Sequence, residues 1–201
     1  MRSLRSGIFI SRNEMTINNF IETILFIINK IIDYNSTLNQ VTPTLFDQKK
    51  FAKKNEDDVS TSQSSNEESG SILLEKEDKY SLVDYLYYWI QKMEFNENLL
   101  VLTMMNIDKI LAKDFILTDD NVKNLLFTSM VITQKYYEDE NFKDKDYSKL
   151  GQLNAEELIK MEVEFLSLID FSLHISDDEF NKYKYKMKDM WENKLSFLSF
   201  E

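Results

Sequence analysis

The chain has 201 residues, 43% of them hydrophobic, enough for one ordinary domain with a core. Its 3 Gly and 1 Pro are too few for the tight turns of a sheet protein. No Cys and a single His, His174, exclude disulfides, thiolate metal sites and two-His metal sites. A net charge of -11 sets the chain against phosphate backbones, so nucleic acid is not an expected partner.

Residues 1–15 read as an N-terminal tail. Three Arg occur there, but the apolar run Ile8-Phe9-Ile10 is too short for a signal-peptide core, and the start is not Met-Gly, so myristoylation is not expected. Residues 16–34 predict a helix. Ile17, Phe20, Ile21, Ile24, Leu25, Ile28, Ile31 and Ile32 follow the i, i+3, i+4, i+7 series of a wide apolar face, which must bury against something. The most apolar stretch, Phe20 to Ile32, is interrupted by Glu22, Asn29 and Lys30. It falls short of the roughly 20 residues a membrane span needs, so no membrane role is expected.

Residues 35–79 are rich in Ser, Asn, Lys and Glu and poor in apolar groups. Such a stretch cannot bury enough surface to offset its conformational entropy, and it reads as a disordered insertion. It carries the possible phosphorylation sites: Thr42, followed by Pro43, and Ser64 and Ser65, each three residues before a Glu.

Residues 80–191 predict five helices, and 192–201 a C-terminal tail. The first has Ser81 as N-cap and Leu82, Tyr85, Leu86, Trp89, Ile90 and Met93 at helical spacing. The second (about Asn96 to Leu111) and third (about Asp120 to Tyr137) are apolar almost all round, which places them at the centre of a bundle. The fourth and fifth open on capping boxes, Asn154 with Glu157 and Ser176 with Glu179. Two central helices wrapped by three amphipathic ones give an all-α domain. No group of residues has the spacing of a catalytic or metal site, and His174 has no companions. Asp108, inside an apolar helix, predicts a structural polar contact. The alternation Tyr183-Lys184-Tyr185-Lys186-Met187-Lys188 reads as a solvated face, with Lys182/Lys186 and Lys184/Lys188 as i, i+4 neighbours on it.

From Ser81 to Tyr183 the order of motifs resembles a cyclin box, most of all that of the P-type (PHO-type) cyclins. The matching pieces are Ser81-x-x-Asp84-Tyr85-Leu86, Ile107-Asp108-Lys109, Leu126 with Thr128 and Ser129, Gln134-Lys135-Tyr136, Leu150-Gly151-Gln152, Glu162 with Phe165 and Leu166, and the exit from Asp170 to Ser176. The resemblance implies a five-helix box with the 16–34 helix packed on it as the extra N-terminal helix. It also implies a cyclin-dependent kinase partner in a 1:1 heterodimer. Such a protein is a regulatory subunit, not an enzyme: it holds the kinase's mobile αC helix so that the kinase's Lys–Glu pair can form. No cofactor, metal, membrane or small-molecule substrate is implied. The compartment would be nucleus and/or cytoplasm.

In the family a Lys ending the third box helix and a Glu in the fourth contact the kinase, and these positions match Lys135 and Glu162. Three positions depart from the pattern. Gln134 stands where the family has Ala, Lys109 where it has Arg, and Tyr88 where many members have an Arg. If that Arg pairs with the acid at 108, Tyr88 is the substitute partner expected for Asp108. These departures sustain a second reading, a pseudo-cyclin scaffold that binds a kinase or other partner without activating it.

Overall fold

The computed structural model describes residues 15–37, 44–47 and 81–198, with side chains through 193. Among them are seven helices and no strand: α1 (Ile17–Ser36), α2 (Leu82–Lys92), α3 (Glu97–Leu111), α4 (Val122–Tyr137), α5 (Asp144–Gly151), α6 (Ala155–Leu168) and α7 (Asp177–Leu198). The fold is the all-α one expected. The helices start where short polar side chains can take up orphan N–H groups. Thr16, Ser81 and Asn154 each close a reciprocal capping box with the residue three further on, and Asn96 accepts the backbone N–H of Leu99. At the start of α7 the Ser176 backbone N–H donates to Glu179, and the Glu179 N–H donates back to Ser176.

α3 and α4 form the central pair. From Asn121 to Gln134 only Lys123 reaches solvent, and small polar groups line the seam where the two backbones approach. Each turns its hydroxyl onto a carbonyl: Thr103 onto Leu99 (2.8 Å), Thr128 onto Asn124 (2.7 Å) and Ser129 onto Thr103 (3.0 Å). Hydroxyls satisfied this way can be buried at little cost. α1 lays Phe20, Ile21, Ile24 and Ile28 against this centre and packs on α3 and α7. On the other side α6 packs on α4, and α5 bridges the two. Trp89 of α2 is buried against Phe127 of α4 (4.9 Å between ring centroids), with its indole N–H on the Leu150 carbonyl (3.3 Å). Gly151 sits so close to Phe127 that a Cβ there would lie 2.2 Å from the ring, which is why α5 must end on a residue without a side chain.

Three features differ from the sequence-based expectation. α5 is an additional helix between the expected third and fourth. It is eight residues long with one buried large side chain, Tyr147, and so is too short to announce itself by periodicity. α7 continues to Leu198, past the expected end of the box at 191. Within the stretch read as a disordered insertion, Thr44–Asp47 form a turn whose Phe46 is fully buried. Thr42, Ser64 and Ser65 lie outside the described residues.

Candidate functional site

The last turn of α4 presents two consecutive polar residues to opposite sides. Lys135 faces outward, where a cation suits the negative end of the helix dipole. Its ammonium donates to Glu162 Oε1 of α6 (2.7 Å) and to Asp144 Oδ1 at the first residue of α5 (2.6 Å). The sequence-predicted pair is thus brought together, with a third member, Asp144, that sequence reasoning missed. Glu162 is the most sheltered of the three, its side chain 15% exposed against 27% for Lys135 and 52% for Asp144. Burial works against the Lys135 charge, but the hydrogen bonds and charges of Asp144 and Glu162 outweigh it and hold the ammonium above its ordinary pKa. The Tyr147 ring lies 5.5 Å from the same nitrogen. The triad therefore keeps Lys135 charged and fixed in place, not poised for proton transfer. Exposed apolar side chains belong to the same elements: Ile159 and Val163 one turn apart on α6 beside Glu162, and Tyr136 next to Lys135.

Gln134 faces inward. Its amide donates to the Met93 carbonyl at the end of α2 (2.8 Å), and its oxygen accepts the Tyr147 hydroxyl of α5 (3.0 Å). The large polar residue that departs from the family pattern is therefore buried with both ends satisfied, and it ties α2, α4 and α5 together without reaching the outer face. Burial pushes the Tyr147 phenol up to about 12.

Residues 19–173 match the Cyclin family. The chain belongs to the cyclin family. The relatives include Cyclin-U2-2 of Arabidopsis thaliana, 43% identical over 63 residues, 31% of this chain and 27% of that protein. PHO85 cyclin-7 of Saccharomyces cerevisiae is 32% identical over 79 residues, 39% of this chain and 28% of its own length. Cyclin-P2-1 of Oryza sativa subsp. japonica is 36% identical over 63 residues, 31% and 29%. Each match spans less than a third of the relative's length. Over the matched stretch this cyclin is similar to P-type and PHO85 cyclins.

The second polar feature of the cyclin joins α3 to α7. Asp108, part-buried, accepts the Tyr183 hydroxyl (2.7 Å). Tyr88, expected as its partner, is instead 45% exposed on α2. The physical cause is simple: a part-buried carboxylate takes the donor its packing partner offers, and α3 packs on α7. Burial pushes the Asp108 carboxyl above its ordinary value, and the Tyr183 hydrogen bond offsets part of that. The Tyr183 phenol is pushed up in turn, by burial first and by the Asp108 charge second. Lys109, the family's Arg position, donates to the Ser172 carbonyl (2.7 Å), and Lys113 pairs with Asp170. Both hold the connection between α6 and α7. No group of three or more His, Asp or Glu among the described residues is arranged to hold a metal ion, and none of their helices is long and apolar enough to cross a membrane.

Proposed function

We propose that this cyclin is the regulatory subunit of a cyclin-dependent serine/threonine kinase, bound 1:1 through the outer face of α4 and α6 and activating the enzyme without contributing a catalytic group. The observation that carries this reading is the part-exposed Lys135–Glu162 pair, held by Asp144 beside the exposed Ile159, Val163 and Tyr136. A solvated ion pair alone adds little to a fold. One fixed in place beside exposed apolar side chains suits a partner surface that is apolar with a few backbone or side-chain acceptors. Lys135 would donate to that backbone, and Glu162 would orient it or take a partner donor. Activation would then be differential binding: the cyclin favours the kinase conformation in which the αC helix is in place.

The inward turn of Gln134 supports activation over the pseudo-cyclin scaffold, because the departure lies beneath the face and not on it. The domain layout that goes with this reading is a box from 80 to about 198 braced by α1, working in the nucleus and/or cytoplasm.

The test is affinity capture with the full chain and a Lys135→Ala/Glu162→Ala variant, followed by a kinase assay on what is captured. The expected result is a cyclin-dependent kinase held by the wild type, lost by the folded double variant, and more active with the cyclin than without. A kinase captured but not stimulated would establish the scaffold. Equal capture by both forms would remove Lys135 and Glu162 from the interface.

A further inference from the structure

Phe46 is fully buried although it sits in a largely polar stretch ten residues past the end of α1. Its ring meets Phe115 edge-on at 6.0 Å, in the connection between α3 and α4. Its carbonyl accepts the side-chain N–H of Asn124, a buried residue in the first turn of α4 (2.9 Å). The rest of the turn closes on itself. The Thr44 N–H donates to Asp47 Oδ2 (2.6 Å), the Phe46 N–H to Thr44 Oγ1 (3.3 Å), and the Asp47 N–H to the Thr44 carbonyl (3.3 Å). Thr44–Asp47 thus satisfies its own polar groups and gives the box one aromatic ring and one carbonyl. That is how a short peptide ligand binds, a single anchor side chain seated in a recess with a backbone hydrogen bond to fix its direction. The recess wall is held independently of its occupant: Asn35 of α1 donates to the Leu117 carbonyl (2.9 Å), and Asn121 bridges the Thr118 N–H and the Ile116 carbonyl.

We propose that the recess formed by Phe115 and Asn124 is a peptide-docking site that the chain fills with its own Thr44–Asp47 turn. The same site accepts in trans a peptide of the same chemistry, a phenylalanine followed by a carboxylate in a self-closed turn. Residues 38–43 join the turn to α1 and 48–80 join it to α2. Because the turn is covalently linked to the box, a free peptide competes with an effective concentration of the order of millimolar and must exceed it to displace the turn. The site lies at the opposite end of α4 from Lys135, 11 residues or roughly 16 Å along the axis, and does not depend on the kinase reading.

A fluorescent peptide spanning Thr42 to Lys49 tests this by anisotropy against the full-length wild type and Phe46→Ala. The vacated recess of Phe46→Ala should take up the peptide at about a tenfold lower concentration than the wild type does. The same peptide with its Phe replaced by Ala should not bind, and Asn124→Ala added to Phe46→Ala should weaken uptake. Equal binding to both chains, or none by a Phe46→Ala protein of wild-type helicity, overturns the proposal. If Phe46→Ala does not fold, the decision passes to the full chain carrying 4-fluorophenylalanine at position 46. Its fluorine resonance should move from the buried to the solvent position as millimolar peptide is added, and a resonance that does not move makes Phe46 a fixed core residue and overturns the proposal.

Discussion

The two sides of the last turn of α4 handle buried polarity in opposite ways. On the inner side Gln134 is neutral, enclosed and matched donor for acceptor by Met93 and Tyr147. On the outer side Lys135 is charged, part-exposed and flanked by two carboxylates. The inner group has few alternative partners if one is removed, because only 5% of Gln134 is exposed. The outer group can fall back on solvent. Adjacent residues of similar length should therefore differ sharply: the inner one holds the fold, and the outer one serves a partner.

The largest effect should come from breaking the inner side. Gln134→Ala strands the Met93 carbonyl and the Tyr147 hydroxyl, and each unsatisfied buried group costs about 1–3 kcal/mol. A loss of about 2–4 kcal/mol in urea denaturation is expected, with α5 released first. A loss under about 1 kcal/mol would mean that water replaces the amide and that the two sides do not differ. Gly151→Ala attacks the same side sterically. The new methyl would overlap the buried Phe127 ring, and overpacking of this kind costs about 1–3 kcal/mol. A lowered melting temperature with Trp89 emission shifted to the red would report it, since Trp89 stacks on Phe127.

The outer side should show the reverse. Lys135→Met keeps the apolar stem and removes the charge, and a pair that still reaches solvent, as this one does at 27% and 15% exposure, contributes no more than about 1 kcal/mol. Stability should barely move while kinase capture drops at least tenfold. The pH dependence agrees in sign. Lys135 is held above its ordinary value of 10.5, so its contribution is complete below that value and is lost as pH rises through the folded one. Tyr147 is neutral when buried and raised from 10.0 to about 12, so unfolding is favoured in that window as well. Denaturation midpoints should be flat from pH 6 to about 9 and fall above pH 10 in the wild type. Lys135→Met should keep the Tyr147 part of that fall and lose its own.

The sequence made the helices legible where periodicity and capping agreed, as at Asn154 with Glu157 and Ser176 with Glu179. The central position of α3 and α4 followed from their having no polar face. Lys135 and Glu162 were legible through the motif order, and their contact then followed from α4 packing on α6. What could not be read depends on tertiary neighbours. Asp144 is one acid among several between 138 and 146, and α5 carries too few apolar residues to show a period. Phe46 lies in a largely polar stretch with Leu45 beside it and Phe51 five residues on, and nothing local distinguishes an anchor from an exposed ring. Tyr183 reaches Asp108 across 75 positions of sequence, so only the packing of α7 on α3 could name it over Tyr88.

Asp108 stands between the two sides of α4 in kind, charged and part-buried like Lys135 but, like Gln134, held by a neutral partner, the Tyr183 phenol. Burial penalises its charge more than Tyr183 rewards it, which is why its pKa is raised. An acid raised on folding makes stability fall as pH climbs from its ordinary value, 3.8, through the folded one, and the deficit then stays constant to neutrality. Asp108→Asn keeps an oxygen to accept the Tyr183 hydroxyl and removes the penalised charge. The variant should match the wild type or exceed it by no more than about 1 kcal/mol at pH 7, with the difference shrinking as pH falls toward 4. Paired urea titrations at pH 7 and pH 4.5 measure both. A clear loss at pH 7 would show that the charged hydrogen bond outweighs its desolvation, and Asp108 would then belong with the structural matches of the inner side.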